Sequence, residues 1–387
     1  MTENGRDSAP GSGPLQGVRV VEIGGIGPGP HACMILADLG ADVIRIERPG
    51  GQALGGGPHD LLTRGRPSVA LDLKRPEAVR TVLDLAGRAD VLVEGLRPGV
   101  AERLGFGPDA CRAVNQRLVY GRMTGWGQDG PLAATAGHDI NYISVAGALF
   151  GLGQDPVRPQ FPANLLGDFG GGSTYLVIGL LAALLEARLS GQGQVVDAAI
   201  VDGTAHLSAM HWGQLAAGAF TEDRAANLLD GGVPFYDVYE TADGRHLSVG
   251  ALEPRFFQTL VRLLDIESEC PDQDDVDRHP EMRTLFAQRI SSRTMAEWVA
   301  VFEGTDACVA PVLRPREAAR HPHMVARGTL VERGGRIEPG PAPRFSRTVA
   351  KLGAQPTDVG AGTRMALESW GIDYVDELLA CGAAVQT

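Results

Sequence analysis

Three short stretches carry side chains able to move protons. Gly137-His138-Asp139-Ile140-Asn141-Tyr142 sets an imidazole beside a carboxylate and an amide, just after a Gly-containing loop. Histidine is the side chain most readily poised for proton transfer near neutral pH, although a histidine taken alone is more often structural. Asn164-Leu165-Leu166-Gly167-Asp168-Phe169-Gly170-Gly171-Gly172 places Asp168 at the start of an apolar helical run. A carboxylate there meets unpaired backbone N–H groups, and an ordinary N-cap accounts for it. The glycines, which let another group approach the backbone closely, ask for more than a cap. Gly250-Ala251-Leu252-Glu253-Pro254 puts Glu253 ahead of a helix-opening proline, where an acid is unremarkable. A fourth stretch, Gly27-Pro28-Gly29-Pro30-His31-Ala32, fits G-x-G-x-x-A, and Glu47 ends the next strand where a dinucleotide fold holds its ribose. Two prolines without N–H groups make it a poor pyrophosphate cradle, so a rigid strand-to-helix turn is the simpler reading. His31 and the other histidines outside GHDINY have no comparable setting and read as structural.

Composition narrows the chemistry. The 387 residues are 44% hydrophobic and 21% charged, as in an ordinary folded protein, and the length suggests two domains. A formal net charge of −12 with no basic run argues against nucleic acid or an anionic membrane as partner. Only Lys74 and Lys351 are lysines, which leaves little room for a Schiff base. The five cysteines are scattered, form no C-x-x-C pair, and fit reduced thiols in a cytoplasmic protein. No Cys/His cluster has zinc spacing, so no metal is expected. No uninterrupted apolar run approaches the length of a membrane span. MTENGRDSAPGSGP lacks an apolar signal core and reads as a disordered tail, and AAVQT is no targeting address.

The elements that must position these residues alternate strand and helix. Strands are expected at 18–23, 42–47, 68–73, 91–94, 118–123 and 194–198, with helices at 31–39, 76–88 and from 101. This is a doubly wound α/β domain with a parallel sheet. Residues 170–189 form a helix buried on most of its surface, too interrupted by glycine and too short in its apolar run to span a membrane, and another helix runs to about residue 219. Residues 221–233 look like a linker. An Asp-Gly hairpin, helices at 254–264, 282–290 and 295–302, and a strand at 308–313 make a smaller α+β domain. The expected organisation is a tail at 1–14, a large domain at 15–220, a small domain at 234–325, and a segment at 326–387 that returns to the large domain.

Taken together, GVRVVEIGGIGPGPHACMILADLGADVIRIERP, DVLVEGLRPGVAERLG, AGHDINYIS, NLLGDFGGG and VGALEP resemble the α-methylacyl-CoA racemases, a branch of the family III CoA transferases. The matching stretches run in order from about Leu15 to beyond Leu313. The resemblance implies a large Rossmann-like domain, a small domain and two interlocked chains. It implies an acyl-CoA substrate branched by a methyl group at C2, with CoA as part of the substrate and no further cofactor. CoA contacts carry over onto Arg48, Leu71, Asp72, Leu73, Lys74, Gly95, Arg97, Arg103, Gly137, Asp139, Asn141 and Tyr142. Arginine forks suit the phosphates of CoA. Catalytic roles carry over onto His138 and Asp168, one base for each face of C2, and onto Glu253 as the partner of the histidine. An enolate oxyanion would need fixed donors, for which the Asp139 N–H and the glycine-rich start after Asp168 are candidates. The alternative is CoA transfer with Asp168 as nucleophile, although transferases of the family typically lack the GHDINY histidine. The acyl group, the physiological epimer and the pathway are not specified by these residues.

Overall fold

The computed structural model describes residues 12–51 and 57–387. Residues 1–11 of the expected tail lie outside the described residues. From Gly13 the chain is already engaged, with Leu15 N–H bonded to the Leu39 carbonyl (2.9 Å).

Among the described residues, the larger unit comprises 12–51, 57–146, 162–207 and 325–387. Its sheet holds β1 (Arg19–Ile23), β2 (Asp42–Glu47), β3 (Ser68–Leu71), β4 (Val91–Glu94), β5 (Val119–Thr124) and β6 (Val195–Ala199), in the order β3-β2-β1-β4-β5-β6 and all parallel. Such strands are covered on both faces, hence their largely apolar sequences, with Glu22 and Arg45 buried as an ion pair. Alternate residues feed two cores. Val21, Ile23, Ile44, Ile46 and Leu92 pack on one side, and Val20, Val43, Val91 and Val93 on the other. The first core is closed by α2 (Pro76–Ala86), with α3 (Val100–Leu104) and α4 (Pro108–Val114) following β4. The second is closed by α1 (Pro28–Asp38) and the helix after Asp168.

Two boundaries differ from expectation for identifiable reasons. Helix α1 begins at Pro28, three residues early, because proline's missing N–H costs nothing in a first turn. The expected single helix from 170 is a π-helical segment, Leu165–Ser173, running into α6 (Thr174–Ser190), after α5 (Asp139–Val145). That continuous helix of 26 residues is long and apolar enough to cross a membrane by length and composition, so its shortness is not what distinguishes it. Nor is it buried on most of its surface. Leu176, Leu180, Ala183 and Ala187 pack in the core, while Ile178, Leu185 and Leu189 are exposed. A sequence apolar all round hides which face is covered.

The smaller unit comprises residues 147–161 and 208–324. The helix expected to reach residue 219 is two: α7 (Ile200–Leu207) belongs to the larger unit and α8 (Ala209–Ala216) to the smaller. The 221–233 stretch is not a linker. Arg224 donates to the carbonyls of Phe150 (2.8 Å), Asp155 (2.7 Å) and Pro156 (2.6 Å), which ties 147–161 into this unit. An antiparallel sheet of β7 (Tyr236–Glu240), β8 (His246–Gly250) and β9 (Val309–Pro311) packs with α9 (Pro254–Leu264), α10 (His279–Ile290) and α11 (Met295–Phe302). In α9 the buried residues Phe257, Leu260, Val261 and Leu264 keep the spacing of one helix face.

The C-terminal segment belongs to the larger unit. It forms the hairpin β10 (Leu330–Arg333) and β11 (Arg336–Pro339), and ends in β12 (Ala384–Val385), antiparallel to β3 at the sheet edge. Arg64 anchors the hairpin. Its guanidinium is bonded to Asp38 (2.5 Å) and Glu338 (3.3 Å), all three buried.

Candidate active site

The strand order turns about β1, whose neighbours β2 and β4 lead to opposite edges. In open α/β sheets ligands bind at such a point, beyond the carboxyl ends of the strands. A cleft of about 670 Å³ lies there, walled by the loops after β1, β4 and β5, by Gly137, His138 and Tyr142, and by Asn164, Asp168 and Phe169. Gly95 and Arg97 also line it. Six residues singled out from the sequence, on four separate elements, thus share one wall.

His138 is the N-cap of α5 and is exposed, with its backbone N–H donated to Asn141 Oδ1 (3.0 Å). Asn141 therefore holds the histidine's backbone and is not on the cleft wall. Asp139 is not there either. Its side chain is 6% exposed, and Oδ2 accepts the Asp168 backbone N–H (2.6 Å). A carboxylate buried in this way is unsuited to contacting CoA; it fixes the segment that carries Asp168. A side chain at Gly167 would overlap the Asp139 carboxylate, which explains the glycine before Asp168.

Asp168 lies within the π-helical segment rather than capping a helix. π-Helical turns are wider than α turns and recur at functional sites. One carboxylate oxygen accepts from Asn164 Nδ2 (3.2 Å). The same oxygen lies 3.1 Å from where a Cβ of Gly27 would stand, and Gly27 has φ +69°. The first glycine of the apparent dinucleotide motif is thus the seat of the Asp168 carboxylate. Glu47, its supposed ribose acid, is paired with Arg45 (3.1 Å). Glu22 forms ion pairs with Arg66 (3.1 Å) and Arg45, and Arg66 donates to the Pro30 carbonyl (2.9 Å).

Burial pushes the Asp168 carboxyl above its ordinary range; the Asn164 bond and His138 oppose the rise, and the Asp139 charge adds to it. Tyr142 is also raised by burial, with its hydroxyl donated to the Gly137 carbonyl and its ring edge-on to Trp126 (4.8 Å). A side chain at Gly125 or Gly137 would strike that ring.

The remaining candidates lie off this wall. Leu71 is fully buried in the core, so its side chain meets no ligand. Asp72 accepts from the Lys74 N–H (3.2 Å) in the turn after β3, and Leu73 packs against the core. Arg48 follows β2, and Arg103 lies near Gly99 (3.3 Å from a Cβ there). Arg48, Lys74, Arg97 and Arg103 are exposed and make no ion pair among the described residues. Glu253 belongs to the smaller unit, where it is the exposed N-cap of α9. Of the two expected sources of oxyanion donors, the glycine-rich start spends its N–H groups on its own i→i−5 bonds, as Phe169 to Asn164 (3.4 Å) shows. The Asp139 N–H has no partner among the described residues. No three His, Cys, Asp or Glu side chains among the described residues are grouped to share a metal ion. Asn164 is a hydrogen-bond partner of the Asp168 carboxylate that nothing in its type singles out, although its spacing of four residues is that of a helical turn.

A family model for CoA-transferase family III matches residues 15–362, which takes in the cleft, the smaller unit and most of the larger one. The chain belongs to this family. Within it, the chain is 44% identical to the α-methylacyl-CoA racemase of Mus musculus, over 94% of this chain and 95% of that one. It is 43% identical to the racemase of Homo sapiens, over 87% of each. The succinyl-CoA:glutarate CoA-transferase of Homo sapiens is 26% identical over 96% of this chain and 90% of its own. Among solved structures, Rv3272 from Mycobacterium tuberculosis superposes with a TM-score of 0.77 at 27% identity, covering 92% of this chain and all of that one. A CAIB/BAIF family protein from Brucella suis has the same fold, with a TM-score of 0.79 over 93% of this chain and all of that one. The cleft of this family III member therefore sits where His138 and Asp168 converge from separate elements.

Proposed function

We propose that this protein is a racemase that inverts C2 of 2-methylacyl-CoA thioesters. The observation that carries the reading is the pairing of His138 with Asp168 on one cleft wall, in a chain 44% identical to a protein of that activity. Inversion takes a proton from one face of C2 and returns it to the other, which two groups on separate elements can do. Asp168, its carboxyl raised by burial, is the better placed to give a proton back near neutral pH than an ordinary aspartate. Loss of the α-proton makes an enolate, and the Asp139 N–H is the donor we assign to its oxygen. Arg48, Lys74, Arg97 and Arg103, which follow β2, β3 and β4, are the cations we assign to the CoA phosphates. No further cofactor enters this scheme. We also propose an interlocked homodimer, in which Glu253 of one chain orients His138 of the other and stabilises its charged form.

Purified protein incubated with (2R)-2-methylacyl-CoA and a free carboxylic acid in D₂O tests the reading. Deuterium should enter at C2 while the optical rotation falls, with no added cofactor. Movement of CoA to the free acid without α-exchange would replace this reading by acyl transfer through an Asp168 anhydride.

A further inference from the structure

His31, whose sequence setting suggests a structural role, lies directly behind the base. His31 is one turn along α1 from Gly27, and its backbone N–H bonds the Gly27 carbonyl (3.2 Å). Each end of that turn meets one residue of the Asp168-Phe169 pair. Gly27 seats the Asp168 carboxylate, and the His31 ring packs on the Phe169 ring with centroids 4.5 Å apart. His31 Nδ1 also lies 2.6 Å from the hydroxyl of Ser173, a fully buried residue. Ser173 donates its one proton to the Phe169 carbonyl (2.9 Å). Nδ1 must then be the donor, so a single relay runs from imidazole through hydroxyl to the backbone next to Asp168. Burial, then the charges of Arg64 and Arg66, hold the imidazole below its ordinary range. Thr174 adds its hydroxyl to the same carbonyl (2.9 Å).

A π-helical segment with glycine at 167, 170, 171 and 172 has little stiffness of its own. We propose that His31 is a positioning residue, which braces Phe169 by ring contact and by the Ser173 relay and so holds the Asp168 carboxylate at the reacting carbon. His31 is not among the residues lining the cleft, so it acts through Asp168 and touches no substrate. The role rests on the racemase reading.

Three variants divide the brace. His31→Phe keeps a ring and loses the donor, His31→Gln keeps a donor and loses the ring, and His31→Ala loses both. His31→Ala should lower kcat by about 10- to 100-fold, with KM changed by less than about twofold. The exchange of each epimer's α-proton in D₂O supplies the readout that general weakening would not move. The epimer whose exchange is lost in Asp168→Ala should slow in His31→Ala, and the other should not. Gln and Phe should each recover part of the rate, and they serve if the alanine protein does not fold. Equal slowing of both epimers, or none, overturns the proposal. A second arm needs no turnover. With ¹³C-labelled aspartate, the Asp168 carboxyl line, assigned through Asp168→Asn, should move or split in the His31 variants. An unmoved line overturns the brace. A moved line with no α-exchange in the unaltered protein would instead overturn the racemase reading alone.

Discussion

At the scale of residues, the Asp168 carboxyl and its neighbours set the pH behaviour. Its pKa is raised by burial, so the base form is lost as pH falls through a value above the ordinary 3.8. Asp139 adds to that rise while holding the Asp168 N–H, and an amide oxygen can replace the second role but not the first. Asp139→Asn should therefore move the acid limb of kcat/KM to lower pH, measured with the epimer that Asp168 deprotonates; an unmoved limb would deny the coupling. Stability follows the opposite course. A carboxyl whose folded pKa is raised stabilises fully only below the unfolded value, and that contribution is lost as pH rises through the folded one. Asp168→Asn should thus melt higher than the unaltered protein at pH 7, with the difference vanishing below about pH 3.8. His138 and Asp168 were legible in the sequence because their types and glycine surroundings are local. His31 was not, because what gives it a role is Ser173, 142 residues away.

Among the elements, the turn from β1 into α1 matters most. G-x-G-x-x-A was legible as a strand-to-helix turn, but what its glycine faces is a carboxylate from a distant helix. Gly27→Ala would place a methyl group 3.1 Å from Asp168 Oδ2 at a positive φ that alanine resists. It should cost about 10²-fold in kcat, with CoA affinity measured by calorimetry retained. Full activity would mean that Asp168 does not work from this seat. The parallel strands were readable because most of their residues are apolar, and β1 to β4 are buried along nearly their whole length. Helix α4 escaped notice, since Pro108–Val114 contributes only Cys111 as a buried residue. The π-helical start of α6 also escaped notice, because periodicity carries no mark for it.

For the whole molecule, the chain crosses between its two units after residues 146, 161, 207 and 324. No change of composition marks those points, and so the boundaries at 220 and 233 were misread. The motifs divide between the units, with His138 and Asp168 in the larger and Glu253 in the smaller. If chains share sites, inactive His138→Ala and inactive Glu253→Ala proteins refolded together should regain activity, because one of two sites in a heterodimer is intact. Confirmed heterodimers without activity would place both groups in one chain. The central claim, that two groups serve opposite faces of C2, is tested most directly by giving Asp168→Ala each pure epimer of a 2-methylacyl-CoA in D₂O. The account predicts deuterium entering one epimer with its configuration kept, and inversion of either slowed by about 10²–10⁴. Inversion of both epimers at near the unaltered rate would contradict it and leave Asp168 a structural residue.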